Sequence, residues 1–176
     1  MNEPLKLFME SEMAQPKILI VYYSRTGTTR RIAESLRTLL NCDIEEITEA
    51  KSRAGAFGRA RSVLEAMFKR AAAIVPTKKD PASYDLVVIG TPVWAWSISS
   101  PVRAYLEGNQ SRLPATAFFC VMGGVGAAST FAQMRRLTGK SPHALCSFKE
   151  RDVWSGRHRS PLDMFAKALQ AAEIAG

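Results

Sequence analysis

Ile18-Leu-Ile-Val-Tyr-Tyr-Ser24-Arg-Thr-Gly27-Thr-Thr29-Arg-Arg-Ile-Ala33 joins a fully apolar strand to a hydroxyl-rich turn that opens a helix. A helix N-terminus carries unpaired backbone N–H groups and the positive end of the peptide dipoles, so it attracts anions. Ser24, Thr26, Thr28 and Thr29 place short hydroxyls around those donors, and Gly27 lets the backbone bend toward the ligand. The turn differs from the nucleotide loop GxxxxGK[ST], because no lysine stands at the required spacing to reach terminal phosphates. A phosphate ester is the expected ligand.

Moving outward from this stretch, apolar runs at Lys17–Tyr23, Cys42–Ile47, Leu86–Gly90, Thr116–Val121 and Ala144–Phe148 predict five strands. The first, third and fourth are nearly continuous rather than alternating, as in strands covered on both faces. Helical periodicity falls between them at Thr28–Leu40, Phe57–Ala73, Pro101–Leu106, Ala128–Leu137 and Pro161–Ile174. Ser100-Pro101 and Ser160-Pro161 read as a cap followed by proline at the first helical position, and Gly139 closes the fourth helix. Repeated βα units require a parallel sheet with right-handed crossovers. The fold class is therefore α/β, a three-layer αβα, doubly wound, five-stranded parallel sheet.

With 176 residues and 47% hydrophobic content, the chain fits one domain with a substantial core. Residues 1–15 are expected to form a tail and 16–176 the domain. No apolar run reaches the roughly 18 residues of a membrane-spanning helix. Residues 1–15 lack the basic-then-apolar order of a secretory signal, and Cys42, Cys120 and Cys146 show no CxxC pair, so a reducing cytoplasm is the expected location. The cysteines and the two histidines, His143 and His158, show neither zinc spacing nor a nucleophile–base arrangement. No metal site and no catalytic side chain are assigned.

The net charge of +8 is uneven. From Lys51 to Lys79 eight basic side chains face Glu65 alone, a net +7. Such a block fits a solvated helix face, an anionic partner or the steering of anionic small molecules. Its few aromatics, Phe57 and Phe68, share helical spacing with Val63, Leu64 and Met67, which suits packing on the sheet. Nucleic-acid binding is not expected.

Open sheets of this kind bind ligands at the carboxyl ends of the strands, beside the point where strand order reverses. The turn after the third strand reads Gly90-Thr91-Pro92-Val93-Trp94-Ala95-Trp96-Ser97, and the turn after the fourth reads Met122-Gly123-Gly124-Val125-Gly126. One turn offers anion donors, the second aromatic surface beside a rigid proline, and the third backbone open to a flat ligand. Together they describe a site for a phosphorylated aromatic molecule.

At these residues the chain resembles the flavodoxin family. Ser24-x-Thr26-Gly27-x-Thr29 is similar to that family's FMN phosphate loop, and Tyr84-Asp-Leu-Val-Val-Ile-Gly-Thr-Pro-Val-Trp94 to the strand and flavin loop of its reductase relatives. The resemblance implies strand order 2-1-3-4-5 with FMN at the switch point. It implies that Ser24, Thr26, Gly27, Thr28 and Thr29 hold the phosphate, with Arg25 contributing backbone. Thr91, Pro92, Val93, Trp94, Ala95 and Trp96 would line one side of the ring system, and Gly123, Gly124, Val125 and Gly126 the other.

Two departures from the family's electron carriers bear on function. Carriers are usually acidic around the flavin, whereas no acidic residue stands in any of the three turns. Carriers also often place glycine where a peptide flips beside the ring, whereas Gly90 to Gly108 contains no glycine between its ends, and non-glycine residues resist positive φ. Two-electron, NAD(P)H-dependent reduction of a quinone-like or related acceptor is therefore the expected activity. The alternatives are a flavodoxin-type carrier that meets a redox partner protein, and a non-enzymatic phospho-ligand or regulatory module that uses the basic segment. A homodimer stays open.

Overall fold

The computed structural model describes residues 15–50 and 72–171. The 1–14 part of the expected tail, most of the expected helix Phe57–Ala73 and residues 51–71 of the basic block lie outside the described residues. Five parallel strands, β1 (Ile18–Tyr22), β2 (Asp43–Glu46), β3 (Leu86–Trp94), β5 (Ala115–Met122) and β6 (Leu145–Lys149), lie in the order β2-β1-β3-β5-β6. A two-residue strand, β4 (Ser97–Ile98), pairs antiparallel with the end of β3. With β4 set aside, this is the expected 2-1-3-4-5 arrangement. The strand order reverses between β1 and β3, which pair from Ile18↔Leu86 to Tyr22↔Gly90.

The helices are α1 (Thr28–Leu40), α2 (Ser100–Asn109), α3 (Ala127–Thr138), α4 (Glu150–Trp154) and α5 (Arg159–Gln170). Alternation along the central strands divides the core by face. Ile18, Ile20, Tyr22, Leu86, Val88, Ala117 and Phe119 join Ile32, Leu36 and Leu40 of α1 and Leu162, Phe165 and Leu169 of α5 in one cluster. Leu19, Val21, Val87, Ile89, Phe118 and Cys120 point the other way, to Val102, Tyr105 and Leu106 of α2 and Met134 of α3. Both faces being covered explains the unbroken apolar runs.

α1 is amphipathic, with its buried positions at three- and four-residue spacing, and it ends on Asn41 in the left-handed conformation, whose N–H donates to Arg37 O. Gly90 permits the close approach of β3 to β5, because a Cβ there would lie 2.1 Å from the Phe119 ring. At the edge, β2 carries acids that collect cations. Glu45 accepts from the backbone N–H of Lys78 and Lys79, and Lys79 Nζ lies 3.1 Å from Asp43. These two lysines of the basic block therefore cover the sheet edge.

The structure departs from the sequence expectations in several places. β3 does not stop at Gly90 but runs through Thr91 and Pro92 to Trp94, because Thr91 and Pro92 pair with Cys120 and Val121 of β5. α2 starts at Ser100 behind the cap residue Ser99, and α5 starts at Arg159, each one or two residues before the expected boundary. Ala72 and Ala73 are not helical; Ala50 N–H donates to Ala73 O, and Glu49 bridges Ile74 in antiparallel fashion. The short helix α4 has no counterpart among the expected elements.

Candidate functional site

The first turn follows β1 at the switch point. Gly27, at φ +89°, is the N-cap of α1, and Arg31 N–H donates to Gly27 O at 3.0 Å as the first helical bond. The N–H groups of Thr28, Thr29 and Arg30 precede that bond, so they have no intrahelical acceptor. No side chain caps them, and the first turn of α1 holds no acid. Ser24 Oγ accepts from Gly27 N–H at 3.1 Å, which shapes the turn and leaves the serine proton to donate outward. A Cβ on Gly27 would meet nothing within 4 Å, so space opens above the turn.

The other members of this turn are more constrained than the sequence suggests. Thr28 and Thr29 are buried, and Thr28 Oγ1 donates to Glu150 Oε1 of α4 at 3.0 Å. Arg25 is exposed, with its guanidinium 6.0 Å from the Trp94 ring centroid. Arg30 makes two 2.8 Å bonds to Glu46, and Arg31 lies over Trp154 at 5.4 Å. Both arginines are thus engaged beside the helix rather than opposing its dipole unpaired.

The second turn is a β-hairpin. Trp94 pairs with Ser97 across a two-residue loop in which Ala95 (φ +46°) and Trp96 (φ +61°) both adopt the left-handed conformation. Two-residue hairpins favour such turns because their twist matches the strands, and Asn-Gly is the usual choice. Here Ala and Trp take the strain, about 1–2 kcal/mol per residue. Contacts from α3 hold the hairpin: Trp96 O accepts from Ser129 Oγ at 2.7 Å and from Gln133 Nε2 at 3.3 Å, and Ser97 Oγ donates to Gln133 Oε1 at 2.6 Å. The Thr91 side chain faces the interior, where its Oγ1 accepts from Ser99 N–H at 3.1 Å. Thr91 reaches the ligand face only through backbone.

Trp94 stands between the first two turns. Tyr23 meets it edge-on, with centroids 5.7 Å apart and planes at 89°, and the Tyr23 hydroxyl donates to Glu49 at 2.5 Å. Burial, followed by that hydrogen bond to the carboxylate, pushes the Tyr23 phenol well above its ordinary pKa. Trp96 projects outward, 63% exposed. In the third turn Gly123, Gly124 and Val125 are exposed, and Gly126 (φ +113°) caps α3, again without a side-chain cap. A Cβ on Gly123 or Gly124 would meet nothing, which leaves their backbone accessible to a flat ligand.

All three turns therefore emerge at the carboxyl ends of β1 and β3, which flank the reversal, and of β5 beside them. Grooves elsewhere, such as the 380 Å³ one between α1 and α5 near Ser35 and His158, lack this convergence of uncapped helix ends and aromatic surface. Four contributors escape a reading by motif. Glu49 and Glu150 come from outside the turns, Glu150 from 122 positions beyond Thr28, and Ser129 and Gln133 lie in α3. Tyr23, by contrast, directly adjoins the first turn in sequence. Among the described residues no group of His, Cys, Asp and Glu is placed to hold a metal, and no helix is long and apolar enough to cross a membrane.

The sheet and its turns define a doubly wound α/β protein with an anion-binding turn and an aromatic hairpin at the switch point. The family model for flavodoxin matches residues 17–144, and the chain belongs to the flavodoxin family. Among solved structures, a flavoprotein from Lactobacillus acidophilus NCFM in complex with FMN is 21% identical, with TM-score 0.63, covering 80% of this chain and 97% of that one. A putative flavoprotein from Bacteroides eggerthii is 26% identical, with TM-score 0.63 and coverage of 86% and 98%. Another from Bacteroides uniformis is 21% identical, with TM-score 0.67 and coverage of 87% and 99%. No curated protein matches the chain.

Proposed function

We propose that the three turns hold FMN and that the chain is an oxidoreductase taking two electrons from NAD(P)H for a quinone-like or related acceptor. Family membership and the fit of the turns support the cofactor. Ser24 O–H, Thr29 and the free N–H groups opening α1 suit a phosphate, with Arg25, Thr26 and Gly27 shaping the approach. Trp94 and the backbone from Thr91 to Trp96 would bound one side of the ring system. Gly123, Gly124 and Val125 would bound the other, with Gly126 joining the two turns against Trp96. FMN supplies hydride and electron transfer when bound, so no acid–base side chain is required.

The fixed hairpin carries the preference for two-electron chemistry. Ala95 and Trp96 already occupy the positive φ that non-glycine residues were expected to resist, so the resistance rests instead on Trp96 O, which is held by two donors from α3. A peptide held in this way resists turning over to follow a change in the ring's hydrogen-bonding needs. Exposed Arg25 at the rim adds charge that favours anionic nicotinamide cofactors.

Titration with FMN, followed by anaerobic mixing with NADH or NADPH and a quinone, tests both parts. The expected result is a yellow complex that the nicotinamide bleaches directly and the quinone recolours. Bleaching only in the presence of a separate protein reductase would assign a carrier instead. Failure to take up FMN would remove the flavin reading altogether.

A further inference from the structure

Thr28 opens α1, is 2% exposed, and lies between Glu150 Oε1 at 3.0 Å and Thr26 Oγ1 at 3.4 Å. Because Thr28 gives its one hydroxyl proton to Glu150, its oxygen faces Thr26 as an acceptor. A hydrogen-bonded chain therefore leads from Thr26 through Thr28 to a carboxylate, away from the mouth of the turn. Two of the four hydroxyls expected to serve an anion are drawn into it. The carboxylate itself stands one side chain behind the helix end that attracts negative charge. Among the described residues no cation forms an ion pair with Glu150: Arg30 goes to Glu46, Arg31 lies over Trp154, and Arg151 and Arg157 lie 3.9 and 2.7 Å from Asp152.

We propose that Glu150 is a specificity-determining residue of the first turn, lowering its preference for a phosphate ester over the corresponding neutral hydroxyl compound. Its negative charge opposes the phosphate, and its claim on Thr28 removes a donor. The bound phosphate is thus held less tightly than the N-terminus of α1 alone would hold it, and the ligand exchanges more readily. The inference rests on the FMN reading, with FMN and riboflavin as the charged and neutral members of the pair. Glu150 acts through Thr28 and the local field and is not assigned to the chemistry.

The test compares FMN and riboflavin dissociation constants, read by flavin fluorescence quenching, for the wild-type protein, Glu150→Gln and Glu150→Ala. The glutamine variant retains an acceptor for Thr28 while losing the charge, and the alanine variant also frees the hydroxyl. FMN is expected to bind the glutamine variant about tenfold tighter, with riboflavin unchanged within about twofold, and the gain should shrink as salt screens the field. An unchanged FMN-to-riboflavin ratio in both variants would overturn the proposal while leaving the flavin reading intact. Weaker FMN binding by a glutamine variant with wild-type melting temperature would also overturn it and make Glu150 a strut for the turn. Absence of FMN binding in all three proteins would overturn both readings.

Discussion

Gly126 rests on the backbone of Trp96. A Cβ at Gly126 would lie 3.1 Å from Trp96 Cα and 2.8 Å from Val93 Cγ1, and Gly126 itself has φ +113°. The second and third turns therefore fit together as one unit, and any side chain at Gly126 would push them apart. Gly126→Ala is expected to destabilise the protein by about 1–3 kcal/mol through combined strain and crowding. Urea unfolding of the ligand-free protein measures it, and a cost below a few tenths of a kcal/mol would mean that the turns yield easily.

Ala95 carries the opposite expectation. Its φ of +46° is unfavourable for alanine, whereas glycine adopts it freely at an entropic cost of about 0.5–1 kcal/mol. Ala95→Gly should therefore be neutral to stabilising, by up to about 1 kcal/mol, where most substitutions to glycine destabilise. The urea midpoint decides between these signs.

Ser24 and Thr29 bear on the phosphate. Ser24→Ala combined with Thr29→Ala is expected to weaken FMN about tenfold to a hundredfold, the scale of lost hydrogen bonds to a charged group. Riboflavin affinity should hold within about twofold, since it lacks the phosphate. Equal losses for both ligands would place the phosphate elsewhere.

Asp43 supplies a pH dependence. Donation from the Tyr84 hydroxyl, at 2.7 Å, followed by Lys79, holds its carboxyl below the ordinary range. A group with a depressed folded-state pKa stabilises above its unfolded value, about 3.9, and that contribution is lost as pH falls through the folded value. Asp43→Asn should therefore lose less stability than the wild type between about pH 5 and pH 3. The difference will be partial, because Asp80 and Asp152 are depressed as well. Urea midpoints across that window provide the measurement.

The layers of the sheet were legible because burial on both faces writes itself into sequence as unbroken apolar runs such as Leu86–Ile89, and α1 emerged with its ends at Thr28 and Leu40. The hairpin was not legible. Proline and two tryptophans read as loop residues, and Ala95-Trp96 lacks the glycine that marks a two-residue turn. What overrides local preference there is tertiary: β5 pairs with Thr91 and Pro92, and α3 grips Trp96 O. Glu150 was hidden for a related reason. A side chain brought to a turn by the packing of α4 on α1 leaves no periodicity or spacing near that turn.

The buried pair Thr91 and Ser99 has a further consequence. Thr91 gives its proton to Pro92 O at 2.9 Å, so its oxygen accepts from Ser99 N–H at 3.1 Å and from Ser99 O–H at 3.2 Å. Backbone at both ends of the excursion from Pro92 to Ile98 is fastened at that one point in the interior. The excursion is consequently tied down twice, at its neck by Thr91 and Ser99 and at its tip by α3 and Gly126. What meets the ligand face can therefore be retuned through exposed side chains such as Trp96, while the length of the excursion and the register of the sheet beneath stay fixed.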